Sequence, residues 1–253
     1  MNLQNPKKFK LLIDQAYEVA LNVLRPISRK YDKAEHAYPK ELDMLASVVD
    51  GMNAGGDGMN AGAAVNKRGD TACGNKNGVN MSTALSIVEM CFGDTGLLLS
   101  MPRQGLGNSA IAAVANDEQL QRFHGTWAAM AITEPGCGSD SAAIRTTAVA
   151  DGDDYILNGE KIFVTSGERA DAVVVWATLD KKLGRAAIKS FVVPKGTPGM
   201  TVERLEHKLG IKASDTAAIS FVDCRVPASN LLGNAEIDVS KGFAGVMETF
   251  DNT

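Results

Sequence analysis

The residues best suited to chemistry lie in two short stretches, ITEPGCGSD from Ile132 to Asp140 and LNGEKIFVTS from Leu157 to Ser166. In the first, Thr133 ends an apolar run, Pro135 fixes φ for a turn, and Gly136 and Gly138 allow backbone N–H groups to approach a bound anion. Ser139 then offers a hydroxyl where a phosphate oxygen could sit. A plain surface turn would account for the proline and the glycines, but not for their combination with Thr133, Glu134, Ser139 and Asp140. The second stretch ends on hydroxyls as well, at Thr165 and Ser166. The pair predicts a binding site for an anionic small molecule.

Other candidates carry less. Cys137 sits in the first stretch, yet no histidine lies nearby in sequence to activate a thiolate. Cys73, Cys91, Cys137 and Cys224 lack CxxC spacing, and His36, His124 and His207 are scattered, so structural zinc is not expected. His124 and His207 read as surface or cap residues. Two segments fit the loose pattern G-x-G-x-x-A, at Gly56, Gly58, Ala61 and at Gly105, Gly107, Ala110. That pattern signals a dinucleotide only between a parallel strand and a helix, and neither segment has that setting.

The elements that must position these residues follow from periodicity. Leu12, Ala16, Val19, Ala20 and Val23 recur at helical spacing between Lys8 and Lys33, and Pro26 should kink or end the first part of that helix. Pro39 followed by Leu42, Met44, Leu45 and Val48 predicts a second helix with proline in its first turn. Residues 51–80 are too rich in Gly and Asn for a regular element and read as a long loop. Helical patterns return at 81–92 and 108–124. From about Thr126 the period shortens to six apolar or alternating runs, with hairpin turns of type I′ expected at Asp151-Gly152 and Asn158-Gly159. A helical pattern resumes in KGFAGVMETFDNT and stops without a C-cap glycine, which suggests a fragment of a longer protein. The fold class expected is α+β: an N-terminal α-helical domain over 1–125, an antiparallel β-barrel or sandwich over 126–235, and the start of a C-terminal helical domain over 236–253.

Composition narrows the partners. The 253 residues are 45% hydrophobic and carry 26 basic against 30 acidic side chains, a formal charge of −4 without runs of like charge, so nothing points to nucleic acid or an anionic membrane surface. The chain opens MNLQNPKKFK, without a signal-like apolar region, and no apolar run is expected to reach membrane-span length. A cytoplasmic protein with a small-molecule partner is expected.

Several motifs together resemble the acyl-CoA dehydrogenase family. TEPGCGSD resembles its flavin loop, LNGEKIFVTSGERAD its NG-K-(W/F)-(I/V)-T strand, HKLGIKASDT its K-(M/L)-G-(I/M)-x-x-SDT stretch, and FVDCRVPASNLLG its closing strand. GFAGVMETFDNT is similar to the start of the C-terminal helical domain. The resemblance spans residues 119–253. It implies an FAD-dependent α,β-dehydrogenation of an acyl-CoA thioester to a trans-2-enoyl-CoA, with electron-transferring flavoprotein as acceptor and a homo-oligomer, dimer or tetramer. It places Ile132, Thr133, Gly138 and Ser139 against the flavin ring and pyrophosphate, Phe163 and Val164 beside the flavin edge, and Thr165 near flavin N5. Ser139 and Asp251 would meet the CoA part of the substrate. No catalytic base is assigned: where some relatives carry a glutamate, this chain has Thr253, and Glu134 is expected to be structural. The N-terminal half departs from the family by lacking a PEEYGG-like stretch. Two alternatives stay open, a base-lacking supporting subunit of a heteromeric dehydrogenase and an acyl-CoA oxidase.

Overall fold

A computed structural model of the chain describes residues 7–54, 79–103, 105–237, 239 and 247. The expected loop at 51–80 falls outside the described residues between 55 and 78, as do Asp251 and most of 236–253. The described residues form two compact units, one from 7–54, 79–102 and 207–214, the other from 103, 105–206 and 215 onward.

The first unit is helical. Helix α1 (Lys10–Val19) passes through a wide π turn (Ala20–Leu24) into α2 (Arg25–Lys33). Pro26 has no N–H and its ring would strike the carbonyl one turn back. The chain answers by widening the preceding turn, so the Arg25 N–H reaches back to Ala20 O and the helix continues instead of ending. Helix α3 (Glu41–Ala54) follows Pro39. Helix α4 (Val79–Leu99) runs further than the sequence pattern predicts and is interrupted at Asp94, whose backbone is extended (φ −173°, ψ 121°). Asp94 Oδ1 accepts the Leu97 N–H at 2.8 Å, restarting the helix as an N-cap would. Leu24, Tyr31, Leu42, Ala46, Leu97, Met101 and Ala213 form the unit's core.

No run of membrane-span length was expected, yet Met81–Leu99 is long and apolar enough to qualify by length and composition. Its two acids, Glu89 and Asp94, are diluted by Leu, Ile, Val and Met neighbours. Within its unit the helix packs against α1 and the π turn, closely enough that a Cβ on Gly93 would come within 2.8 Å of Ala20 O.

The second unit begins with α5 (Leu106–Val114) and α6 (Asp117–Arg122), where one helix was expected. Asn116 separates them: its side chain accepts the Gln119 N–H at 2.9 Å while Gln119 Oε1 accepts the Asn116 N–H at 3.1 Å, a reciprocal capping box. Seven strands follow: β1 (Ala128–Ala131), β2 (Thr147–Asp151), β3 (Asp154–Thr165), β4 (Ala172–Thr178), β5 (Ile188–Pro194), β6 (Met200–Leu205) and β7 (Thr216–Pro227). They form one mostly antiparallel sheet in the order β1-β4-β2-β3-β7-β6, with β5 also on β4. The purely antiparallel expectation needs correcting, because β1 runs parallel to β4 and β2 meets β4 in parallel at Thr147 and Thr178.

Strand β4, AVVVWAT, is buried along its whole length. Val173, Val175 and Ala177 enter one core cluster; Ala172, Val174 and Trp176 enter another, as the two-residue period of a strand buried on both faces requires.

Both hairpin expectations change in detail. Between β2 and β3 the two-residue loop is Gly152-Asp153, with Gly152 at φ 62°, which is the glycine-first turn and not the type I′ turn. Asn158-Gly159 makes no turn at all. It lies inside β3, where the register against β7 shifts between Leu157 and Gly159, and a Cβ at Gly159 (φ 154°) would come within 2.4 Å of Thr146 Oγ1. That glycine serves a close approach of β3 to Thr146, the residue just before β2.

Candidate functional site

The loop that follows β1 is held by a single buried carboxylate. Glu134 and Cys137 exchange backbone hydrogen bonds at 3.0 and 3.1 Å, closing a tight turn over Pro135 and Gly136. The Glu134 side chain, 5% exposed, turns inward. Its Oε1 accepts from Lys161 Nζ at 2.8 Å, Thr146 N at 2.9 Å and Thr146 Oγ1 at 2.6 Å, and its Oε2 accepts from Arg145 N at 2.7 Å. An acceptor met by four donors is an ionised carboxylate. Burial pushes its pKa up, but the Lys161 charge and the bonds from Lys161, Thr146 and Arg145 outweigh that and hold it below the usual carboxyl range.

Lys161 is wholly buried, and desolvation draws its pKa down against the pull of Glu134. Its ammonium also donates to Ile132 O at 3.1 Å, while the neighbouring Ile162 N–H donates to Thr133 O at 2.9 Å. Three segments, 132–134, 145–146 and 161–162, are thereby tied at one point. Burial and the Glu134 charge raise the thiol pKa of Cys137, which therefore stays protonated at neutral pH.

Next to this brace, β3 breaks register between Lys161 and Val164. Phe163 sits in the break at φ 58°, a conformation costly for a bulky side chain, with 60% of its surface exposed. An exposed aromatic held in a strained backbone directs attention to function. Ile132 and Thr133 are half-buried beside β3; Gly138 and Ser139 follow the turn and are exposed. Val164 turns its side chain into the core, so only its backbone is left for a ligand. Thr165 is half-buried and pairs with Thr216 of β7. Asp251 is outside the described residues. Thus the structure gathers Ile132, Thr133 and the Phe163 bulge around the brace.

Gly136 and Gly138 differ from the expectation that they supply special backbone angles. Neither has positive φ, and a Cβ at either would meet open space. Nothing in the described chain requires a glycine there, which leaves room for a close ligand. Lys161, the cation of the brace, was missed by sequence reasoning. A signal existed: it falls four residues after the buried Leu157 and so on the same inward face of β3.

Residues 129–224 match the acyl-CoA dehydrogenase middle domain. A short-chain specific acyl-CoA dehydrogenase of Clostridium acetobutylicum is 32% identical over 259 aligned residues, covering 99% of this chain and 63% of that protein. An acryloyl-CoA reductase (NADH) of Anaerotignum propionicum is 44% identical over 129 residues, which are 50% of this chain and 32% of the relative. The structure of butyryl-CoA dehydrogenase from Megasphaera elsdenii superposes with a TM-score of 0.77 at 27% identity, covering all of this chain and 64% of that one. Residues 129–224 form an acyl-CoA dehydrogenase middle domain, and the chain is similar to acyl-CoA dehydrogenases over nearly its whole length. It spans less than two thirds of the length of each of these relatives.

Proposed function

We propose that this chain supplies the flavin-binding part of an FAD-dependent enzyme that dehydrogenates a short-chain acyl-CoA thioester between its α and β carbons. The carrying observation is the brace at Glu134 and Lys161, which ties the loop after β1 to the strand that presents Phe163. FAD, when bound, supplies the acceptor for the hydride leaving the β-carbon.

The residues suit such a group. A flavin needs a flat apolar neighbour, a few fixed polar contacts and cover for its pyrophosphate. Phe163 supplies an exposed aromatic face, Thr133 in the loop after β1 and Thr165 at the end of β3 offer polar contacts for the ring, and Ser139 with the open space at Gly136 and Gly138 gives the phosphates room and a hydroxyl. Ser139 and Asp251 are the residues for the CoA moiety. The buried pair does not touch the ligand in this reading; it keeps the loop rigid, so that its hydrogen-bonding groups are pre-set and need no reorganisation on binding. Electron-transferring flavoprotein is the acceptor, the protein works as a homo-oligomer, and its compartment is the cytoplasm.

Titrating FAD with the purified chain and following quenching of flavin fluorescence tests the reading. Saturable binding is expected, weakened by about tenfold in Phe163→Ala, the loss of roughly 1.4 kcal/mol of stacking and apolar contact. Absence of saturable binding, or equal affinity in Phe163→Ala and the parent, would overturn it.

A further inference from the structure

The helical unit holds a cluster outside the flavin-binding region. Glu35 and His36 follow α2, and His207 opens the 207–214 segment that packs into the same unit. Glu35, His36 and His207 each place one donor atom within 4.8 Å of the others. His207 Nδ1 stands 3.0 Å from Glu35 Oε2, and the two imidazoles are tilted at 57° to each other with centroids 5.2 Å apart. Glu35 Oε1 is held by the Lys208 N–H at 2.9 Å, which fixes the carboxylate's direction. His36 adopts φ 68°, a left-handed conformation that is uncommon outside glycine.

We propose that Glu35, His36 and His207 bind one divalent transition-metal ion of the Zn2+ class, with water completing the coordination. Two ligands at about 2.0–2.1 Å from Zn2+ and near the tetrahedral angle stand roughly 3.3 Å apart, so the Glu35–His207 separation is already close to that of bound ligands. The ion would replace the proton shared between Oε2 and Nδ1. His36 completes the set by a small ring movement, for which its half-buried position leaves room. Two imidazoles and one carboxylate favour Zn2+, Cu2+, Ni2+ or Co2+ over Mg2+ or Ca2+, which need several oxygen ligands. Lys208 does not crowd the ion, since its ammonium donates to Ser214 O. Lys212, whose charge also acts on Glu35, sets a limit on affinity.

The test is Co2+ and Zn2+ binding to the chelator-treated, untagged 253-residue chain, by calorimetry and by the visible spectrum of the Co2+ form. One ion per chain is expected, with nitrogen and oxygen ligand bands and no thiolate-to-cobalt charge transfer. His207→Gln and His36→Asn should each weaken binding by more than about a hundredfold, beyond the roughly 10–100-fold loss of a supporting contact around a metal. Asparagine tolerates positive φ, so His36→Asn removes the imidazole while keeping the backbone, and circular dichroism confirms the fold. Thiolate bands in the parent, failure to bind, or a loss in His207→Gln without one in His36→Asn would overturn the proposal. The last result would mean contact with one surface histidine.

Discussion

Two acid-base contacts, one in each unit, show how differently the same atoms behave. Glu134 with Lys161 and Glu35 with His207 both bring a carboxylate within 3.0 Å of a basic nitrogen. The first is buried on both sides and surrounded by further donors; the second leaves the His207 side chain 84% exposed. A buried pair must be complete, because either partner alone is an uncompensated charge in a poor solvent for charge. An exposed pair is screened and costs ordering entropy, so it adds little to stability and remains free to take another ligand. The brace is therefore a structural commitment, and the Glu35 contact is a site.

The sharpest way to break this contrast is Lys161→Met. It strands the Glu134 carboxylate and should cost about 3–5 kcal/mol in urea unfolding, whereas the double variant Glu134→Leu with Lys161→Met should recover most of the loss. A single variant as stable as the parent would reduce the brace to the rank of a surface pair. Next in size is Gly159→Ala. Its Cβ would press on Thr146 within 2.4 Å, at a φ that L-residues avoid, and so push the hydroxyl away from Glu134. A loss of about 2 kcal/mol is expected, in the range for overpacking; an unchanged denaturation midpoint would show that β3 shifts at no cost.

Acid separates the two carboxylates more gently. The folded pKa of Glu134 lies below the unfolded value of 4.5, so it contributes stability that is complete above 4.5 and disappears as pH falls through the folded value, whereas the exposed Glu35 contact is screened by solvent and adds little. Protonating Glu134 also leaves the Lys161 ammonium buried without its counter-charge. Stability of the parent relative to the Leu/Met double variant should hence stay level between about pH 5 and 8 and fall below 4.5. A difference that stays flat in acid would refute the ionic brace. The smallest effect is Glu35→Gln, which should leave thermal stability unchanged within measurement while impairing Zn2+ binding; a large drop in melting temperature would erase the distinction between the two contacts.

Particular residues show what could be read without coordinates. The run AVVVWAT announced a strand, and the chemistry of ITEPGCGSD announced a tight turn; both follow from local sterics and hydrogen-bonding chemistry. Asn116 could be recognised as a cap by its Gln119 three residues on, yet the apolar pattern across 108–124 concealed it. Asn158-Gly159 misled, because positive φ serves a bulge as well as a turn, and only the neighbouring Thr146 decides which. Lys161 stayed hidden since a lysine is ordinarily exposed, and nothing in the local sequence names its partner 27 residues earlier.

By itself the sequence determined the order of most helices and strands, the turn after the first strand and the family motifs, because these depend on local periodicity and turn propensity. Tertiary structure alone decided which strand lies beside which, that β1 joins the sheet in parallel, that Glu134 meets Lys161, and that His207 returns to Glu35 across a separation of 172 residues. Those contacts join residues far apart along the chain. Their energies depend on burial, which exists only once the chain has folded.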